Sequence, residues 1–87
     1  MSIALPSVLD TPAASVLHST FCDAIGRDES LLINGSAVER VGQACLQVLT
    51  AAALQARQSG LAFRIDEPSP QLAEMANLAG LDFLLAA

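Results

Sequence analysis

Apolar and polar positions follow two different periods along this chain. Leu31, Leu32 and Ile33 form an uninterrupted apolar run bounded by Asn34-Gly35, the pattern of a strand covered on both faces. A short polar turn follows, and from Gly42 the period changes. Cys45, Leu49, Ala52 and Ala56 recur at three- and four-residue spacing on one side of a predicted helix, with Leu46 and Ala53 on one flank and Val48 on the other. Gln43, Gln47, Thr50, Leu54 and Gln58 make up the opposite face. The loop between a strand's carboxyl end and a helix's amino end is where open α/β sheets place their working surface.

The same reading extends to both ends. Ile3 to Leu5 is a short apolar piece, interrupted by Pro6 and resumed at Val8-Leu9. Proline cannot donate to a ladder, so this segment is an edge strand or a bent pair of strands. Asp10-Thr11-Pro12 opens a helix, with Thr11 as cap and Pro12 at the first helical position. Its expected core stripe is Ala13, Leu17, Phe21 and Ala24, flanked by Ala14 and Ile25, while Ser15, Ser19, Cys22 and Asp23 face away. Gly26 to Glu29 is a polar turn. Ser59-Gly60 ends the second helix, and Leu61, Phe63 and Ile65 alternate with Ala62 and Arg64 as a strand. Ser69 then caps a third helix behind Pro70, with Leu72, Met75, Ala76 and Ala79 as its stripe. Gly80 is its expected left-handed C-cap residue with Leu81 as the apolar partner, and Asp82 to Ala87 are expected as a short apolar tail that adds a strand or covers the core.

Strands alternating with helices of about a dozen residues imply parallel neighbours joined by crossovers. The expected fold is a single α/β domain over residues 1–87: a small sheet of about four strands, mostly parallel, with helices packed against it in the order β-α-β-α-β-α.

Composition narrows the function. Nine carboxylates stand against four arginines and no lysine, for a net charge of −5; nothing here resembles the basic stripe that a phosphate backbone demands, so nucleic acid is not an expected partner. No apolar run approaches the ~20 residues that span a bilayer, and the amino terminus lacks the basic start and apolar centre of a signal peptide. A cytoplasmic protein without membrane insertion is expected. Cys22 faces outward and Cys45 inward on the predicted helices, which argues against a disulfide and for reduced thiols.

Few groups suggest chemistry. His18 and Cys22 are side by side, four apart on the first helix. Two ligands are too few for a structural zinc site and no acid orients the histidine, so the plainer reading is an edge histidine beside a passive thiol. Cys45 behaves as a small core hydrophobe. Asn34-Gly35-Ser36 lacks the further glycines and lysine of a phosphate-binding loop. Ser36 reads as a turn residue whose hydroxyl bonds nearby backbone, and Thr50, in mid-helix, as a poor phosphorylation target. Neither a metal nor a cofactor is expected.

The order of elements at this length resembles the STAS domain, the module named for sulphate transporters and anti-sigma factor antagonists. The resemblance runs from Leu5-Pro6 to Ala79-Gly80-Leu81 and is most specific at the centre. Family members commonly read hydrophobic-Asp-x-Ser-x-Val, then a hydrophobic residue, then Asp-Ser-Ser-Gly-Leu-x-hydrophobic-Leu. Ile33-Asn34-Gly35-Ser36-Ala37-Val38 and Val41-Gly42-Gln43-Ala44-Cys45-Leu46-Gln47-Val48-Leu49 fall in that frame without a gap. The loop from Val41 to Leu49 is also similar to STAS proteins associated with bacterial chemotaxis.

The departures carry the functional implication. In regulated antagonists the second serine of Asp-Ser-Ser-Gly is phosphorylated by a partner kinase that is also an anti-sigma factor. Ala44 stands there, Gln43 replaces the first serine, Gly42 replaces the aspartate and serves as a bare N-cap, and Asn34 replaces the aspartate that ends the strand. Alanine has no oxygen to accept a phosphoryl group. The resemblance therefore implies a non-catalytic protein-binding module of bacterial signalling, of anti-sigma antagonist or chemotaxis type. The same resemblance implies that partners dock on Asn34, Ser36, Gly42, Gln43, Ala44, Gln47, Thr50 and Leu54. Leu54, apolar in an otherwise polar face, fits an interaction anchor. The alternative readings are an accessory subunit of a membrane transporter and, more distantly, a small enzyme using His18 and Cys22.

Overall fold

Strands β1 (Ser2–Ala4) and β2 (Val8–Leu9) come first, separated by the proline-containing bend at Pro6. Helix α1 (Thr11–Gly26), strands β3 (Leu31–Asn34) and β4 (Arg40–Val41), helix α2 (Gln43–Gln58), strand β5 (Phe63–Asp66) and helix α3 (Pro70–Leu78) follow. This is a computed structural model, and it describes residues 2–80. The expectations for Leu81 and for the tail from Asp82 to Ala87 lie outside the described residues.

The five strands form two sheets: β1-β3-β5 and β2-β4. Every pairing is parallel, with Ile3 opposite Ile33, Ile33 opposite Ile65, and Leu9 opposite Val41. The described residues thus hold five strands where about four were expected. The amino-terminal segment is the bent pair, and the additional strand is Arg40–Val41. It is too short to show a period, and pairing with Val8–Leu9 rather than its own sequence makes it a strand. Glu39 and Arg40 N–H groups both donate to Ser7 O, at 2.7 and 3.1 Å, and bring the polar turn onto β2.

Ile3, Leu31, Ile33, Phe63 and Ile65 turn toward the helices, whereas Ser2, Ala4, Leu32 and Arg64 are exposed. The main sheet is therefore covered on one face, not two as the apolar run suggested; Leu32 is 43% exposed. Helices α1 and α2 pack on each other, α2 also lies against β5, and α3 against β4. Phe21 of α1 meets Phe63 of β5 edge to face, ring centroids 6.4 Å apart.

Helix ends follow the expected chemistry with two shifts. Asp10, rather than Thr11, caps α1: its Oδ1 accepts the Ala13 N–H at 3.0 Å, and Pro12 falls one position deeper. The buried stripe is Ala14, Leu17, Phe21 and Ala24, while Ala13, expected in it, is half-buried. Ser69 caps α3 by accepting the Leu72 N–H at 3.1 Å. In α3, Leu72 and Ala76 are buried but Ala79 is exposed, because the helix closes before it. Gly60 and Gly80 take φ of +74° and +73° after α2 and α3, the left-handed turn that favours glycine.

Gly35 seats α3 on the sheet. A Cβ there would lie 2.6 Å from Leu72 Cδ2, which is buried and has little room to yield. The Gly35 carbonyl accepts the Ser69 N–H at 3.0 Å, and the Gly35 N–H donates to Asp66 O at 3.1 Å. The first turn of α3 is thereby fixed above the carboxyl end of β3.

Candidate partner-docking site

Strand β3 ends at Asn34, whose side chain organises the following turn. Its Oδ1 accepts from the Ser36 N–H at 2.9 Å and from the Ser36 hydroxyl at 2.6 Å, while its Nδ2 donates to Glu67 Oε2 at 3.2 Å. The first of these is an Asx turn. Ser36 is thus a turn residue, as expected, but its hydroxyl bonds the Asn34 side chain and not backbone. Glu67, held at φ +50°, reaches the same amide from the β5–α3 connection.

Gly42 is the N-cap of α2, extended at φ −87° and without a side-chain cap bond. Its N–H donates to Leu9 O at 2.7 Å, fastening the start of α2 to β2. Ala44, in the first turn, is half-buried and packs against the core. Further along, Gln43, Gln47 and Leu54 are exposed and Thr50 is half-buried; Leu54 is 48% exposed. The Thr50 hydroxyl donates to Leu46 O at 2.8 Å.

An open groove of about 440 Å³ runs along this face, lined by Gln43, Leu46, Gln47, Thr50, Ala51, Leu54 and Ala79. It brings together four of the expected docking residues: Gln43, Gln47, Thr50 and Leu54. Asn34, Ser36, Gly42 and Ala44 are not among its lining residues. Three residues that line it were not read as site residues. By periodicity Leu46 belongs to the core flank and Ala51 to neither face, and Ala79 is the residue that ends α3 as its C-cap. Helical periodicity within α2 carries no signal for a neighbour contributed by another helix.

None of the described residues that line the groove is charged. From Gln43 to Ala56 the helix has no Asp, Glu, Lys or Arg, although the chain carries thirteen such residues. An apolar floor with amide and hydroxyl groups at its rim has the composition of a protein-binding patch, whose centre is depleted of charge.

On the other side of α2, Cys45 is buried and its Sγ–H donates to Asp10 O at 3.3 Å. Burial pushes its thiol pKa up, and the Asp10 carboxylate adds to the shift. Cys22 is exposed and both cysteines are free. Its Sγ lies 3.7 Å from His18 Nε2. Among the described residues, no three of His, Cys, Asp and Glu cluster as a metal site, and no helix is long and apolar enough to cross a membrane.

A family model described as "Mlab, STAS domain" matches residues 1–86. No curated relative matches the chain in sequence.

Proposed function

The chain belongs to the STAS domain family, and from this premise we propose that it is a non-catalytic adaptor that captures another protein on the outer face of α2. It works in the bacterial cytoplasm, in a signalling pathway of the anti-sigma antagonist or chemotaxis kind. The observation that carries this reading is the charge-free groove between Gln43 and Leu54, with an exposed leucine at its far end. A helix face kept free of charge in an acidic protein is costly for solubility, and cover by a partner accounts for it.

Ala44 gives the mechanism its character. With a methyl group at the family's phospho-acceptor position, occupancy depends on the amount of protein and on the partner's own state.

The test is capture by the immobilised protein from a lysate of its native cells. Ala44→Glu adds a negative charge at the amino end of α2, where the helix dipole favours it, and circular dichroism checks that this half-buried position accepts it. Leu54→Asp removes the anchor at an exposed position. Each is expected to lower capture of the same protein by about fivefold or more, the cost of roughly 1 kcal/mol or above for an interface anchor. Equal capture by all three forms would contradict docking on this face. A captured soluble kinase or chemotaxis component supports the signalling role; a captured membrane-transport ATPase supports the accessory-subunit reading instead.

A further inference from the structure

Asn34-Gly35 carries a chemistry that docking on α2 does not use. An asparagine followed by glycine is open to attack by its own backbone, because glycine has no Cβ to shield the nitrogen next to the carboxamide. The fold demands both residues. Gly35 is required by Leu72, whose Cδ2 would lie 2.6 Å from a Cβ there, and the Asn34 amide is used at both ends, accepting from Ser36 and donating to Glu67. The packing that seats α3 therefore places a labile dipeptide at the carboxyl end of β3.

We propose that Asn34 is a site of spontaneous deamidation whose rate is set by opening of the α3 seat. In the reaction the Gly35 nitrogen bonds to Asn34 Cγ, the Cγ–Nδ2 bond breaks, and the Gly35 amide proton leaves with that nitrogen as ammonia. Water then opens the cyclic imide at either carbonyl, giving aspartate or isoaspartate. No oxidant or reductant takes part.

The native backbone blocks the first step. Asn34 is paired in the sheet with Ala4 on one side and Asp66 on the other. Its carbonyl accepts the Leu5 N–H at 2.9 Å, the Gly35 N–H donates to Asp66 O at 3.1 Å, and the Gly35 carbonyl accepts the Ser69 N–H at 3.0 Å. Turning the Gly35 nitrogen toward Cγ rotates the peptide that joins the two residues. That movement breaks the first two bonds and displaces the third, so the end of β3 and the start of α3 open together. Such local openings set the rate of any chemistry that needs them.

The whole protein is aged in mildly alkaline buffer, with and without denaturing urea, and digested with trypsin. The peptide from Asp28 to Arg40 contains Asn34 as its single asparagine, and its conversion from amide to acid is followed by mass. Asn77, the other asparagine of the chain, precedes Leu78 and serves as the slow internal reference. Conversion at Asn34 should be at least about tenfold slower in the native protein than in urea. Ser69→Ala removes the side-chain cap of α3 but keeps the backbone N–H that meets Gly35; it should speed native conversion by about fivefold, the equivalent of a lost cap. Circular dichroism checks that this variant is folded, and low urea, below the unfolding transition, should raise the wild-type rate in the same direction. Equal rates in native and unfolded protein, no conversion in urea, or a native rate that neither Ser69→Ala nor low urea changes would overturn the proposal.

Discussion

A Cβ placed on Gly42 would lie 2.8 Å from the backbone oxygen of Leu9, the same oxygen that accepts the Gly42 N–H at 2.7 Å. The resemblance to STAS domains puts an aspartate at this position, the better N-cap by general preference. Here the close approach of α2 to β2 excludes it. Gly42→Asp should therefore destabilise, by about 1–3 kcal/mol as for other overpacked sites, against a capping gain of only a few tenths. Urea unfolding of Gly42→Asp and Gly42→Ala measures this. A gain in stability for the aspartate would show that α2 can move away from Leu9.

Asn34 is the second place where the resemblance expects an aspartate, and its amide explains the difference. The Nδ2 group donates to Glu67 Oε2 at 3.2 Å while Oδ1 holds Ser36. Asn34→Asp keeps the Ser36 contacts but sets two carboxylates against each other. Repulsion raises the pKa of one of them in the folded variant, so the variant approaches wild-type stability at low pH and loses ground as pH rises through the carboxylate range. At pH 7 the deficit should be about 1 kcal/mol, a lost hydrogen bond at an exposed site. Thermal melts of both forms across the acid range test it; a deficit independent of pH would contradict the role of Glu67.

The buried thiol sets an alkaline limit. Cys45 has its pKa raised by burial and by the Asp10 carboxylate. An acid whose folded pKa lies above its unfolded value contributes stability that is complete below the unfolded pKa, about 8.5 for a thiol. That contribution is lost as pH rises from there through the raised folded value. Stability should fall over this range, and Cys22 should react rapidly with a chromogenic disulfide while Cys45 reacts only on unfolding. Two thiols reacting at one fast rate would contradict the packing of α2.

Much of this fold is legible from local pattern. The α2 stripe, both glycine C-caps and the Ser69-Pro70 start each arise within a few residues, where periodicity and capping act. What the chain hides is set between distant segments. Arg40–Val41 is a strand only because Val8–Leu9 lies beside it, and Leu32 is exposed because none of the described helices crosses that face of the sheet. Asp10 outcompetes Thr11 as a cap, although both side chains are good caps in isolation. The docking face was half legible: α2 periodicity placed Gln43, Gln47, Thr50 and Leu54 together, but the wall contributed by Ala79 depends on how α3 is docked through Gly35 and Ser69.

The central claim is that a partner covers the outer face of α2. Photo-crosslinking in the native cell tests it most directly, with a benzophenone side chain placed at Gln47, at Ser15 on the outside of α1, or at Arg64 on the open face of the sheet. The account predicts a discrete adduct from position 47 and none from 15 or 64. An adduct from 15 or 64 with none from 47 would contradict it.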